Sequence, residues 1–320
     1  MPLRLFRPKP GPGTAAPTAS TAAAGVPTQA TVFVPAGAPV TSGGGIASRM
    51  RPEDAGLTLA LLNRAGSSSE SELRQALPGG QLRLSYQIQR DIITGSVVAL
   101  EALIRWAHPE RGLLTPAEFL PLAQAAGLME RIEAWALQRV CQDGAWLLSR
   151  GCTVDVALNV TAAQLIRPGF VASIEREVRT TGLPSGMLTV EIGAQDALDH
   201  LAAVRDVSLA LPRRGVRLSV SDVSPGRLSP HRLRQIQVGE LKIDRAFTAR
   251  LDQPGADEVA EELQDIVTAA RSMGARVVAE GIETNHQFEV AAAAFCDRAQ
   301  GFLLGRPVPL EQIAPLVTGR

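Results

Sequence analysis

The 320-residue sequence predicts an α/β fold: a closed barrel of about eight strands whose first two strands pair antiparallel, preceded by a disordered tail. Three observations predict it. From about Thr153 onward, short apolar strands alternate with amphipathic helices, and repeated βα units imply a parallel sheet. The Gly-rich phosphate loop that a doubly wound sheet would carry after its first parallel strand is missing from the sequence. About eight strands over some 240 residues fit a closed barrel better than an open sheet. Within that frame, six apolar runs meet their loops at a residue able to ligate a cation or carry charge: Glu101, Asn159, Glu191, Asp222, Lys242 and Glu280.

Residues 1–52 are dominated by Pro, Gly, Ala, Thr and Ser, and no acidic residue precedes Glu53. Such a segment buries too little apolar surface to offset the entropy of ordering, so a disordered tail is expected. Residues 53–71 read as a linker with a short helix near Leu57–Leu62, and 72–318 as the folded domain. The formal net charge of zero gives no support for a nucleic-acid polymer or an anionic membrane as partner. Cys141, Cys152 and Cys296 are too few and too widely spaced for a disulfide framework or a zinc site. No apolar run reaches the roughly 18 residues needed to span a bilayer, and the N-terminus lacks a signal-peptide core. The cytoplasm is the expected location.

The domain opens with a helix from about Ser69 to Leu77, stopped by Pro78-Gly79-Gly80. Leu82–Ile88 alternates as a strand, Asp91–Gly95 turns the chain, and Val97–Trp106 forms the second arm of a hairpin. A loop at His108–Leu114 leads to a helix with Pro116 at its first position and Glu118 at its third. A long amphipathic helix spans Ile132–Leu148. Strands follow at Thr153–Val160, Leu188–Ile192, Val216–Val220, Gly239–Ile243, Arg276–Ala279 and Ala299–Leu303. Helices are expected between them at Ala162–Thr180, Gln195–Arg213, Leu228–Gln235, Ala256–Met273 and Asn285–Ala294. His108, His200, His231 and His286 show no ligand spacing and read as surface or loop residues. Arg213, Arg214 and Arg217 read as a solvated helix end.

In a βα barrel the carboxyl ends of the strands converge on one face, where such folds build their sites. Three Glu, one Asp and one Asn supply hard oxygen ligands of the kind that suit Mg²⁺, Mn²⁺ or Ca²⁺ rather than zinc. Lys242 adds an independent hint. The chain has 30 arginines and two lysines, and the other lysine, Lys9, is in the tail. A compact ammonium retained in an Arg-biased sequence has a physical reason where it must orient a water or a phosphate oxygen.

Several segments resemble the EAL domains of bacterial cyclic di-GMP signalling, from about Glu72 to Pro309: YQI at Tyr86, EALIRW at Glu101, HPERGLLTPAEFLPLAQAAGL at His108, LNVTAAQ at Leu158, VEI at Val190, LKIDRAF at Leu241, VVAEGIET at Val277 and QGFLLGRP at Gln300. The resemblance implies a modified (β/α)8 barrel with an antiparallel first strand. It implies an activity in the family's active members, hydrolysis of cyclic di-GMP to pGpG with two Mg²⁺ or Mn²⁺ ions. It makes Glu101, Asn159, Glu191 and Asp222 metal ligands, gives Lys242 and Glu280 the positioning or activation of water, and gives Gln87, Arg105 and Gln300 the nucleotide. It also places a dimer interface near Arg227, His231, Arg232 and Arg234, so a homodimer and a downstream protein partner are the associations to look for. No cyclase segment of the GGDEF type accompanies it, so synthesis of the nucleotide is expected elsewhere.

Two departures bear on catalysis. Active members carry two adjacent aspartates followed by FGTG, where this chain reads SDVSPG from Ser221. A neutral hydroxyl cannot replace the bridging charge that the first aspartate supplies between two dications. The family's second Glu after the third metal-ligand strand, which steadies that loop, is Ala194 here. Three readings follow: a receptor that binds cyclic di-GMP with weak or no hydrolysis, an active metal-dependent phosphodiesterase, and an interaction scaffold without ligand.

Overall fold

The computed structural model describes residues 70–225 and 230–318. The tail, the linker helix near Leu57–Leu62 and Arg227 lie outside the described residues. Helix α1 (70–76) leads into the hairpin β1 (Leu82–Asp91) and β2 (Val97–His108), then a short β3 (Gly112–Leu114), α2 (Pro116–Ala125) and α3 (Met129–Leu148). The βα units are β4 (Asp155–Asn159) with α4 (Ala162–Leu165) and α5 (Phe170–Thr181), and β5 (Leu188–Gly193) with α6 (Ala194–Asp199) and α7 (Leu201–Ala210). They continue through β6 (Arg217–Val223) with α8 (Pro230–Leu233), β7 (Glu240–Ile243) with α9 (Arg245–Ala249) and α10 (Ala256–Ser272), β8 (Arg276–Ala279) with α11 (Asn285–Ala293), and β9 (Arg298–Ala299) before α12 (Leu310–Thr318). Among the described residues no helix is long and apolar enough to cross a membrane.

Eight of these strands close a ring in the order β1-β2-β4-β5-β6-β7-β8-β9, with β9 pairing back to β1 and β3 attached outside it along β2. β1 is antiparallel to both of its neighbours, whereas β2 and β4 through β9 run parallel. The hairpin sets this sense: a tight turn at Asp91–Ser96 reverses the chain, and the Asp91 carboxylate fixes it by accepting from the Thr94 amide and hydroxyl.

The large apolar core lies between the strands and the helices wrapped around them. A second core packs Leu73, Trp106, Leu114, Phe119 and Ile132 between α1, α2, α3 and the end of β2. Inside the ring the lining is polar. Strand alternation puts every second residue inward, and at the amino ends of the parallel strands these are Asp155, Arg217, Glu240, Arg276 and Arg298. Asp155 accepts from all three guanidiniums at 3.0–3.1 Å. Tyr86 ties β1 to α3 through a buried 2.7 Å hydrogen bond from its hydroxyl to Asp143.

Several expectations need correction. Gly112–Leu114 is not a free loop: it pairs with Trp106–His108. His108 is a buried residue, and its Nδ1 accepts from the amides of Glu110 and Arg111. That leaves Nε2 carrying the proton, 3.3 Å from Glu72. Arg217 is not a solvated helix end but part of the half-buried charge group around Asp155. The helix expected at Ala162–Thr180 breaks at Pro168-Gly169, and the one at Gln195–Arg213 breaks at His200. The last strand is confined to Arg298–Ala299, because Gly301–Leu304 turns away from the sheet.

Candidate functional site

Lys242 is the centre of the carboxyl-end face. It sits on β7, wholly buried, and its Nζ lies 3.1 Å from Glu101 Oε2 on β2 and 2.8 Å from Glu191 Oε2 on β5. It lies 2.6 Å from Glu280 Oε1, just beyond β8. These residues come from strands on different sides of the ring, so their side chains all point into it. Asn159, the last residue of β4, donates to Glu101 Oε1 at 2.8 Å, and Gln300, just beyond β9, donates to Glu101 Oε2 at 2.6 Å. Gln300 also donates to Gln87 Oε1, and Gln87 donates to the Gly305 carbonyl. Seven of the residues expected at the site thus form one connected network.

The electrostatics are strained toward excess negative charge. Three carboxylates face one ammonium. Burial alone would lower the Lys242 ammonium, but Glu101, Glu191 and Glu280 hold it well above the usual lysine range. Burial works against the Glu101 charge as well; Lys242 and the hydrogen bonds from Asn159 and Gln300 override it and keep this carboxyl below its ordinary value. Glu191 is pushed well up by burial, reinforced by the neighbouring carboxylates against the pull of Lys242. Burial likewise lifts Glu280 to about 7 despite the ammonium beside it.

The other expected residues sit at the edge of this network. Asp222, at the end of β6, adopts the left-handed region at φ 57° and is exposed. Its charge reaches Glu280 and raises that carboxyl further. Arg105 is half-buried on β2 and donates to the Ile104 carbonyl at 2.8 Å. Burial lowers its guanidinium while the Glu101 charge acts to raise it. Ser221 is buried on β6, in register with Gly193 on β5, and the next residue, Ala194, is the buried start of α6. The two family departures therefore lie close together, Ser221 near the end of β6 and Ala194 just past the end of β5.

Gln89 was not among the expected residues. It is buried on β1 two positions after Gln87 and donates to Gln300 Oε1 at 3.1 Å. The alternation Gln87-Ile88-Gln89 carries that signal, because residues two apart share a strand face.

The donor set fits a hard cation. Ligand oxygens of Glu101, Glu191 and Glu280 lie within 4.8 Å of one another. They are all-oxygen, largely buried and under-compensated by Lys242, which is the charge balance that a divalent ion relieves.

Comparison with known proteins supplies the family. The EAL domain model matches residues 70–307. MucR of Pseudomonas aeruginosa, a bifunctional diguanylate cyclase/cyclic di-GMP phosphodiesterase, is 37% identical over 243 residues, covering 76% of this chain and 35% of MucR. NbdA, a cyclic di-GMP phosphodiesterase of the same organism, is 36% identical over 242 residues, covering 75% of this chain and 31% of NbdA. The chain thus spans about a third of the length of these curated relatives. A solved structure of the MucR phosphodiesterase in complex with c-di-GMP superposes with a TM-score of 0.72 at 35% identity, covering 77% of this chain and 99% of that one. With the closed barrel, the antiparallel β1 and a match over most of its length, this chain belongs to the EAL domain family.

Proposed function

We propose that the chain binds cyclic di-GMP at the carboxyl-end face and hydrolyses it weakly or not at all. The observation that carries this reading is the pairing of a complete charged network with a neutral gap. Glu101, Asn159, Glu191, Lys242, Glu280 and Gln300 are joined by hydrogen bonds and ion pairs, while Ser221 near the end of β6 and Ala194 at the start of α6 carry a hydroxyl and a methyl. The solved relative in complex with c-di-GMP supports the choice of ligand.

Glu101, Asn159, Glu191 and Asp222 would hold Mg²⁺ or Mn²⁺. When bound, such an ion supplies Lewis-acid stabilisation of a phosphoryl oxygen. The chain's own groups do the rest. Arg105 offers a guanidinium fork to a phosphate, a bidentate contact that Lys could not reproduce. Gln87 and Gln300, already bonded to each other, position the ligand beside Glu101. Lys242 orients an attacking water, and Glu280, with its carboxyl near 7, accepts a proton from that water. Ser221 contributes no negative charge at the point where two cations would share a ligand, so binding outlasts turnover.

The retained set of Glu101, Asn159, Glu191, Asp222, Lys242 and Glu280 favours a second reading, a slow but genuine phosphodiesterase producing pGpG. One experiment separates them: calorimetric titration of cyclic di-GMP in Ca²⁺ and in Mn²⁺, with the nucleotide recovered by chromatography. Intact nucleotide from a binding protein supports the receptor. Conversion to pGpG in Mn²⁺ overturns it in favour of the enzyme. No binding in either buffer removes both and leaves the scaffold reading.

A further inference from the structure

Gln89 shares one face of β1 with Gln87 and is 1% exposed. Its Nε2 donates to Gln300 Oε1 at 3.1 Å. With its oxygen held there, the Gln300 carboxamide turns Nε2 the other way, toward Glu101 Oε2 at 2.6 Å and Gln87 Oε1 at 3.2 Å. Both of those atoms are acceptors, so only this orientation of Gln300 satisfies all three neighbours. Turned over, the carboxamide would set its oxygen against the Glu101 carboxylate and its amide against the amide of Gln89.

The arrangement carries a cost in stability. Gln89 Oε1 is buried and accepts from no donor among the described residues. The residue opposite Gln89 on β2 is Ala99, which brings no polar side chain to it. A buried carbonyl without a donor is unfavourable relative to an apolar group of the same shape, and buried polar side-chain atoms are in the large majority paired. An apolar side chain as long as Gln would fill the position without the orphaned oxygen. What it would lose is the donor to Gln300.

We propose that Gln89 is a positioning residue for the nucleotide site: it acts through Gln300, holding that carboxamide with Nε2 toward Glu101 and Gln87. This rests on the nucleotide-binding reading above. Gln89 itself touches neither the three clustered carboxylates nor Lys242 among the described contacts, so its effect on binding passes through one side chain.

The test is titration of cyclic di-GMP, in Ca²⁺ buffer, into wild type, Gln89→Met, Gln89→Leu, Gln300→Ala and the double variant Gln89→Met/Gln300→Ala, with urea denaturation of each. Met keeps the length of Gln and removes the amide, so the fold is expected to persist; Leu repeats the reading with a branched side chain. Gln89→Met weakens binding by roughly tenfold, the size of effect that outer partners of site residues show, while its urea midpoint stays at or above that of wild type. A purely structural role would lower affinity only together with the midpoint. In the Gln300→Ala background, Gln89→Met changes affinity by no more than about twofold, because the group it positions is gone. An undiminished loss in that background overturns the positioning role, as does wild-type affinity in both Gln89 variants. Failure of wild type to bind the nucleotide overturns the functional reading instead, and the positioning role with it.

Discussion

At the scale of single residues, the site turns on the ratio of carboxylates to cations. Lys242 is one ammonium shared by Glu101, Glu191 and Glu280. Lys242→Met fills the same volume but leaves three carboxylates with no counter-charge, and breaking a buried ion pair from one side costs about 3–5 kcal/mol. Urea denaturation of the variant in EDTA is expected to show a loss of that size. Mn²⁺ should recover part of it, since an added dication meets the same carboxylates; no recovery would argue that the cluster holds no metal. Ser221 and Ala194 give the opposite experiment. Ser221→Asp with Ala194→Glu returns the charge the family pattern carries, and pGpG production in Mn²⁺ should rise by roughly tenfold or more over wild type. An unchanged rate would place the loss of turnover elsewhere in the loop. Of these groups, the strand-end residues were legible in the sequence because a polar residue closing an apolar run is costly and recurs. The bonding of His108 was not legible: its isolation in sequence hid that a turn two residues later delivers two amides to Nδ1.

At the scale of elements, the loops after β8 and β9 brace each other and hold Glu280 and Gln300 in place. Ile282 donates to the Gln300 carbonyl, Leu303 donates to Ile282, and Gly301 lies against the Ile282 backbone. Gly281, at φ 69°, admits the same kind of closeness: a Cβ there would stand 2.5 Å from Arg245 Cβ. Gly301→Ala must therefore separate the two loops. It should cost about 1–3 kcal/mol, as over-packing does, and weaken cyclic di-GMP binding, because it displaces Gln300 from Glu101 and Gln87. Calorimetry on Gly301→Ala and wild type side by side decides this; equal affinities would sink it. The same elements show why boundaries were harder to read than existence. The strands β4 to β8 were legible from runs of Val, Ile and Leu that meet a charged or amide side chain. The breaks at Pro168-Gly169 and His200 were not, since helical periodicity persists on both sides of each break. β9 is two residues long, and its apolar continuation Phe302-Leu303 is a turn whose exposure no pattern of hydrophobicity reveals.

At the scale of the whole molecule, the barrel is closed by pairing and plugged by charge at both ends. At the amino ends, Asp155 accepts from Arg217, Arg276 and Arg298, residues on three other strands, and Glu240 pairs with Arg276 and Arg298 as well. Asp155→Ala leaves three guanidiniums with Glu240 beside two of them and is expected to cost about 3 kcal/mol in urea denaturation, while nucleotide binding at the far end changes little. This group was not legible in sequence, because only closure of the ring brings residues 155, 217, 276 and 298 together, whereas the closure itself was foreshadowed by strand number and chain length. The carboxyl-end cluster sets how stability follows pH. Glu280 keeps its proton to about 7 when folded but releases it near 4.5 when unfolded, and Glu191 is shifted in the same direction. Between those values the folded chain binds more protons than the unfolded one, so stability falls as pH rises through that window. Glu101 is shifted the other way, and its contribution is lost only as pH falls below the ordinary glutamate range. In EDTA the urea midpoint should therefore be higher near about pH 5.5 than near about pH 8. A bound divalent ion requires the ionised carboxylates and releases their protons, so its stabilisation grows with pH. Mn²⁺ should flatten or reverse the slope. An identical slope with and without Mn²⁺ would mean that the carboxylates which titrate are not the ones a metal meets.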